Sequence, residues 1–397
     1  MLPVRYGMPT GGRALIIDQH TTYPIDVCRA LAKQGYLVDA FAEPPAPVLR
    51  SRYCYRRFPS RSWYEIDPYL QQLRSIVEGD RYDVIYICSE EIMQILPRIV
   101  DGSAAWRGLL RPDPEAMTRV MSKNRSLQRM QEAGIPVPRT IVPETESDVA
   151  AAAREVGFPL VLKGDKGGAS YNVRVIQDPD RLLPLYREIR RRERGYDGRP
   201  AIQEYVNGPT YLSGGVFKDG CTLRMCAHRM TLMNPPQGGA TVKAVSERSP
   251  ELIDVTVRAF EAFEWTGLAQ IDLIRDHRDG RLKFLEINPR VWASIGMARR
   301  AGVDLFGPYH ELAAGRDVEP DLRYRAGVHF HRLSGELHLI RRRPLRLFGF
   351  LRDCFDPGVY SDFEWGDLGP HAPGLFPLYA STPPTPASGE FALPNAA

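Results

Sequence analysis

The stretch GLAQIDLIRDHRDGRLKFLEINPR, residues 267–290, constrains the chain more than any other. It reads as two long apolar β-runs that fold back on each other about His277 to Gly280. Strand side chains repeat with period two, so Glu286, Asn288 and Arg290 share one face while Leu285 and Ile287 point to the other. The fold-back brings Asp272 alongside Glu286, or within a residue of it. An edge strand turned to solvent would also explain this pattern, and Pro289, which donates no ladder hydrogen bond, suits such an edge. The rest of the chain has to decide between the two.

Like charges this close raise each other's pKa unless a cation neutralises them. An all-oxygen set of Asp272, Glu286 and Asn288 suits Mg2+ or Mn2+ rather than zinc. Magnesium completes its shell with water and substrate phosphates, so the trio implies a nucleotide as well. Phosphate binders are at hand. Lys163 ends an apolar strand and is followed by GDKGGAS, where Gly164, Gly167 and Gly168 let backbone N–H groups come close to phosphate oxygens, with Ser170 in the same loop. A second strand follows rather than a helix, so this is no Walker A loop but a lid-like hairpin. Lys123 stands just after Ser122 at a helix start, within reach of a phosphate.

Around these residues the chain alternates. From Arg13 to about Leu110 strand and helix patterns take turns, as in a small open α/β sheet. AMTRVMSKNRSLQRMQEAG reads as an amphipathic helical stretch closed by Gly134, and IPVPRT after it must be extended. Strands dominate from RPAIQEYVNG to Asn288, interrupted by a helix that starts after Ser249 with Pro250 in its first turn. A chain of 397 residues can bury two or three cores. The expected divisions are an N-terminal α/β domain over 1–115, a small lobe with the glycine hairpin over 116–200, a larger lobe with the metal site over 201–320, an extension over 321–380 and a disordered tail over 381–397.

Other classes find little support. The balance of 52 basic and 48 acidic residues makes no case for nucleic acid. Six scattered cysteines without a CxxC pair read as inert thiols. No apolar run approaches the roughly 20 residues of a membrane span, and no apolar leader follows Met1, so a cytoplasmic setting is expected. LHLIRRRPLRLFGFLRD has two readings, a helix packed onto the neighbouring domain, which is preferred, and a basic amphipathic segment in peripheral contact with a membrane. His329 and His331 share a strand face and, without a third ligand, are expected to meet substrate or solvent rather than metal.

Taken in order, Lys123 with its Gly-Ile-Pro-Val-Pro exit, GFPLVLK with its glycine loop, QEYVNG, Asp272 and LEINPR resemble the ATP-grasp superfamily. The resemblance runs from roughly Arg13 to Leu305, and PPQGGATVKAVSERSPEL and NPRVWASIGMARRAGVDL look most like its carbamoyl-phosphate-synthase-like branch of carboxylate–amine ligases. It implies an α/β ATP-grasp fold, in which a pre-ATP-grasp domain precedes two strand-containing lobes that clamp ATP. It also implies roles. Lys123 and Lys163, with Gly167, Gly168 and Ser170, would contact ATP phosphates and the adenine rim. Gln203, Glu204, Tyr205 and Val206 would form the linker that holds adenine, and Asp272, Glu286 and Asn288 would hold magnesium. Arg290 would meet the transferred phosphoryl group or the substrate carboxylate, and with Lys163 would be catalytic. Many relatives hold the ribose with a glutamate after the linker; here Thr210 stands in that stretch.

The implied reaction joins a small-molecule carboxylate to an amine, through an acyl phosphate, in a chain that admits a homodimer. Two other readings stay open, a bicarbonate-using carboxylase or carbamoyl-phosphate-type enzyme and a nucleotide-binding scaffold without catalysis.

Overall fold

The computed structural model describes residues 12–19, 21–100, 102–166, 172–193, 198–234, 240–342, 344–356 and 358–371. The expectations for Gly167, Gly168, Ser170 and the tail 381–397 fall outside these residues.

The first sheet is parallel, ordered β3-β2-β1-β4 from β1 (Arg13–Asp18), β2 (Leu37–Ala42), β3 (Arg57–Pro59) and β4 (Val84–Ile87). Ala14 to Ile17 of the central β1 are an unbroken buried run, as a strand of a parallel sheet covered on both faces must be, and Val84 to Ile87 of the edge strand β4 are buried as well. Helices Pro24–Lys33, Ile66–Gly79 and Glu90–Ile99 follow its strands.

The amphipathic stretch divides into two helices, Pro114–Val120 and Lys123–Glu132, the second starting after Ser122 as expected. Each carries its own cap. The Asp113 carboxylate accepts from the backbone N–H groups of Glu115 and Ala116, and the Ser122 hydroxyl accepts from that of Arg125. Ser122 is extended, so the chain must leave the first helix before it enters the second.

The second sheet is antiparallel, ordered β5-β8-β6-β7 from β5 (Thr140–Ile141), β6 (Leu160–Lys163), β7 (Val173–Ile176) and β8 (Ala201–Glu204). Helices Val149–Val156 and Leu182–Arg192 pack on it, and Ala152, Leu160, Leu162, Tyr186, Ile189 and Ile202 belong to a core of its own. That core is separate from the large cluster shared by the first sheet, the helix Lys123–Glu132 and the third sheet.

The third sheet has seven strands in the order β13-β12-β9-β10-β11-β14-β15. They are β9 (Thr210–Lys218), β10 (Cys221–Asn234), β11 (Ala240–Ser246), β12 (Gly267–Arg275), β13 (Leu282–Asn288), β14 (His329–His331) and β15 (Val359–Ser361). All pairs are antiparallel except β14 with β15. Helix Pro250–Phe263 lies against it, with Phe260 stacked on Phe217 at 3.5 Å between ring centroids.

The hairpin of β12 and β13 turns where the sequence places it, the Gly280 N–H donating to the Asp276 carbonyl at 2.8 Å. Gly280 takes φ +71°, a backbone region that glycine enters without steric cost. Asp272 pairs directly with Glu286, and Gln270 with Asn288. One detail corrects the sequence reading. A bulge follows the Asp272–Glu286 pair, so Leu285 has no cross-strand partner and lines the same cleft as Glu286 instead of pointing away with Ile287.

Past residue 321, where the sequence shows no clear periodicity, β14 and β15 extend the third sheet and helices Leu333–Arg342 and Arg346–Phe355 cover part of it. The expected packing of the second helix is one-sided. Asp353 is buried and pairs with Lys243 at 2.7 Å, whereas Leu345, Phe348 and Phe355 are 83%, 74% and 77% exposed. His331 is buried against the Phe350 ring at 5.2 Å, so the expected contact with substrate or solvent fails for it, while His329 is exposed. Among the described residues no helix is long and apolar enough to cross a membrane.

The end of the described chain returns to its beginning. The Tyr360 hydroxyl donates to Asp26 at 2.6 Å, and the buried Arg29 guanidinium donates to the Asp367 carboxylate at 2.9 Å, both onto helix Pro24–Lys33.

Candidate functional site

Between the second and third sheets lies a cleft of about 350 Å³. One wall comes from β6, β7 and the segment after β8, the other from β9, β10, β12 and β13. Lys163, Gln203 to Val206, Thr210, Asp272, Glu286, Asn288 and Arg290 all line it. Residues spread over 128 positions of sequence thus meet in one place, while Lys123 reaches in from the start of its helix.

Charge is concentrated at one end. Lys123 Nζ and Lys163 Nζ stand 3.7 and 3.6 Å from Glu286 Oε2. Lys163 also donates to the carbonyl of Leu285 at 2.8 Å, an acceptor that sits in the bulge of β13. Burial, which opposes charge, pushes the Lys163 ammonium below the usual lysine range, with Glu286 pulling the other way. Burial acts on Lys123 too, but Glu286, Glu90, Asp165 and Glu193 together hold it above that range.

The two carboxylates are driven apart. Burial, then the nearby Glu286 charge, raises Asp272 well above the ordinary carboxylate range. Loss of water would raise Glu286 as well, yet Lys123, Lys163 and Arg290 outweigh it and hold it low. The Asn288 amide links them to the arginine, its Nδ2 donating to Asp272 Oδ1 at 3.0 Å and its Oδ1 accepting from Arg290 Nη2 at 3.1 Å. Among the described residues no three histidine, cysteine or carboxylate side chains gather around one point. The oxygen set here is two carboxylates in register and one amide.

Arg290 also lies over the Tyr23 ring, 5.1 Å from its centroid. Arg332 flanks the same ring at 5.7 Å and donates to the Thr22 hydroxyl at 2.6 Å. Tyr23, Arg332 and Glu90, whose carboxyl is raised by burial against the pull of Lys123 and Arg290, are members that sequence reasoning missed. They come from the N-terminal unit and the last third of the chain, and no local pattern marks them.

The linker differs in detail from expectation. Gln203 is buried with its Nε2 donating to the Thr140 hydroxyl at 2.8 Å, and the Glu204 carboxylate binds Lys283 at 3.0 Å and Arg278 at 2.9 Å. Both side chains are engaged by the protein, which leaves the backbone of 203–206 to face the cleft. Gly208 is required just after it, because a Cβ there would fall 1.7 Å from the Arg275 carbonyl oxygen. Thr210 opens β9 on the cleft wall.

Beyond Arg290 the cleft continues past Met230, Met233, Thr241, Trp292 and Ser294. The Trp292 indole packs over Gly214, where a Cβ would sit 2.7 Å from the ring. His228 is buried behind this wall and bonds Ser294 at 2.9 Å. Burial lowers its pKa to about 3, so the ring is neutral. The Pro-Pro/Gly-Gly loop that follows it lies outside the described residues.

Comparison with known proteins shows what the chain is similar to. Residues 120–294 match the model of the ATP-grasp domain. D-alanine--D-alanine ligase of Pseudomonas entomophila is 28% identical over 212 residues, which is 51% of this chain and 63% of that protein. Biotin carboxylase of Nostoc sp. is 23% identical over 274 residues, 64% of this chain and 61% of that one. The chain therefore spans less than two thirds of the length of these curated relatives. Among solved structures, an L-amino acid ligase from Bacillus licheniformis shares the fold with a TM-score of 0.56 at 14% identity, covering 76% of this chain and 74% of that one. Biotin carboxylase from Campylobacter jejuni does so at 0.63 and 16%, covering 80% and 74%.

Proposed function

The chain carries an ATP-grasp domain, and from that premise we propose that it is an ADP-forming ligase joining a carboxylate to an amine. ATP would lie between the second and third sheets, its adenine against the backbone of 203–206 and the apolar Val161, Val175 and Leu285. Its phosphates would run toward Lys123 and Lys163. Asp272, Glu286 and Asn288 suit Mg2+ or Mn2+ as a donor set, two carboxylates in direct cross-strand register with an amide beside them. When bound, the metal would neutralise charge on the β- and γ-phosphates.

The substrate carboxylate oxygen attacks the γ-phosphorus and the bond to ADP breaks, giving an acyl phosphate. The amine then attacks the acyl carbon and phosphate leaves. Lys163 and Arg290 supply fixed positive charge where the phosphoryl oxygens gain negative charge, and no side-chain nucleophile is needed. Thr210 would offer a hydroxyl near the ribose in place of the acid of many relatives. The observation that carries this reading is the convergence of Lys123, Lys163 and Arg290 on the Asp272–Glu286 pair within one cleft.

The deciding experiment supplies ATP, magnesium and candidate carboxylates and amines in pairs, with hydroxylamine to trap an acyl phosphate. ADP release is expected to be negligible with ATP alone and to rise with the right pair. A hydroxamate formed from one carboxylate without amine names the first substrate. The biotin carboxylases among the relatives make bicarbonate a necessary control. ADP release with bicarbonate alone, and no trapped product from any carboxylate, would replace the ligase reading by a carboxylase-type one.

A further inference from the structure

A second cleft, of about 740 Å³, opens where the N-terminal unit, the helix Lys123–Glu132 and the second sheet meet, and it shares no lining residue with the first. Three pieces of the fold each give it a guanidinium. Arg111 comes from the loop that leaves the first sheet, Arg125 from the helix and Arg199 from the strand entry of the small lobe, with Lys166 beside them.

Among the described residues the three arginines form no ion pair. Arg111 and Arg125 are exposed and make no side-chain hydrogen bond or ion pair among the described residues. Arg199 donates to a backbone carbonyl, that of Glu144, at 2.6 Å. Their neighbours behave differently, for Arg119 pairs with Glu264 at 3.0 Å and Arg129 with Glu132 at 3.7 Å. The one carboxylate lining the cleft, Asp165, already accepts from the Ser122 hydroxyl at 2.8 Å and the Asn124 N–H at 2.9 Å through a single oxygen. The remaining lining mixes apolar Pro112, Met117, Met121 and Val142 with the uncharged polar Gln94, Thr118 and Asn124.

Guanidinium groups that face a common space without an anion repel one another, and a ligand carrying several anionic oxygens relieves that repulsion while accepting their forked donors. We propose that this cleft binds a small polyanion with an apolar body, of the phosphate-bearing class, and that the ligand ties the small lobe to the N-terminal unit. Its position links it to the nucleotide. Asn124 adjoins Lys123, and Asp165 and Lys166 follow Lys163 by two and three residues, so a ligand that fixes the cleft also fixes the roots of both phosphate-facing lysines. Coupling of this kind is reciprocal, and each ligand changes the affinity of the other by the same factor.

The test uses the full chain with its nucleotide cleft filled by a saturating non-hydrolysable ATP analogue and magnesium. Inorganic pyrophosphate and, separately, citrate are titrated in by calorimetry. One further site is expected, with pyrophosphate bound more tightly than citrate, and R111E/R125E is expected to weaken it at least tenfold while its affinity for the nucleotide alone stays within twofold of wild type. The milder R111A/R125A guards against an effect of charge reversal on folding and is expected to weaken binding in the same direction. Tighter binding of citrate would overturn the phosphate class. No binding of either anion by the wild-type chain, or equal binding by wild type and both variants, would overturn the site.

Discussion

Lys123 and Lys163 aim at the same atom, their ammonium groups 3.7 and 3.6 Å from Glu286 Oε2, one rising from a helix start and the other from the end of a strand. The carboxylate they share offsets the repulsion between the two lysines and keeps both close to where phosphates would lie. Glu286 is therefore both a candidate metal ligand and the anchor of two cations.

Glu286→Gln keeps the shape and removes that charge. ADP production in the presence of both substrates is expected to fall by roughly 100-fold or more, with a melting temperature close to wild type. Chelating the metal from the wild-type enzyme should abolish turnover as well. Equal rates in mutant and wild type would take Asp272 and Glu286 out of the reaction.

Lys163→Ala leaves the Leu285 carbonyl without its donor and removes a charge expected to face phosphate. ATP should bind more weakly by about 1–3 kcal/mol, and calorimetry against the wild type reads this directly. An unchanged affinity would confine Lys163 to holding the bulge of β13.

Gly208→Ala puts a methyl group against the Arg275 carbonyl, so the linker must move. A stability loss of about 1–3 kcal/mol is expected in denaturant unfolding, together with a raised KM for ATP. A normal KM would show that the backbone of 203–206 does not hold the nucleotide.

Asp26 gives a pH signature. Burial raises its pKa to about 6, against the pull of the Tyr360 hydrogen bond. A carboxyl whose folded pKa lies above its unfolded value contributes stability that is complete below the unfolded value and is lost as the pH rises through the folded one. Asp26→Asn can still accept from Tyr360 and carries no charge. It should flatten the melting-temperature profile between about pH 4 and 6.5 and gain up to ~2 kcal/mol relative to wild type at neutral pH. A profile parallel to wild type would place the titration elsewhere.

Much of the site could be read in advance because it is local. The Asp272–Glu286 register follows from period-two alternation and a turn whose length is marked by Gly280, and Lys163 is marked by the apolar strand it ends. The bulge that turns Leu285 into the cleft leaves no trace in composition, since one inserted residue looks like any other strand residue. The break at Ser122 was written in the chain as a cap, but the amphipathic period running through it concealed the stop. Tyr23, Glu90 and Arg332 reach the site only through packing of distant segments, and β14 and β15, three residues each, are too short to show a period.

The bond between Arg29 and Asp367 joins positions 338 residues apart, and that between Tyr360 and Asp26 spans 334. On the ribosome, the helix behind Tyr23 emerges early and waits for its brace until nearly all the described chain has been made. A product that ends between residues 291 and 358 would contain every candidate phosphate- and metal-facing side chain, yet lack the brace on the helix that follows Tyr23, the ring on which Arg290 rests. The Arg290 end of the cleft thus depends on segments made late in the described chain, and a partial chain has its Lys163 and Glu286 end first.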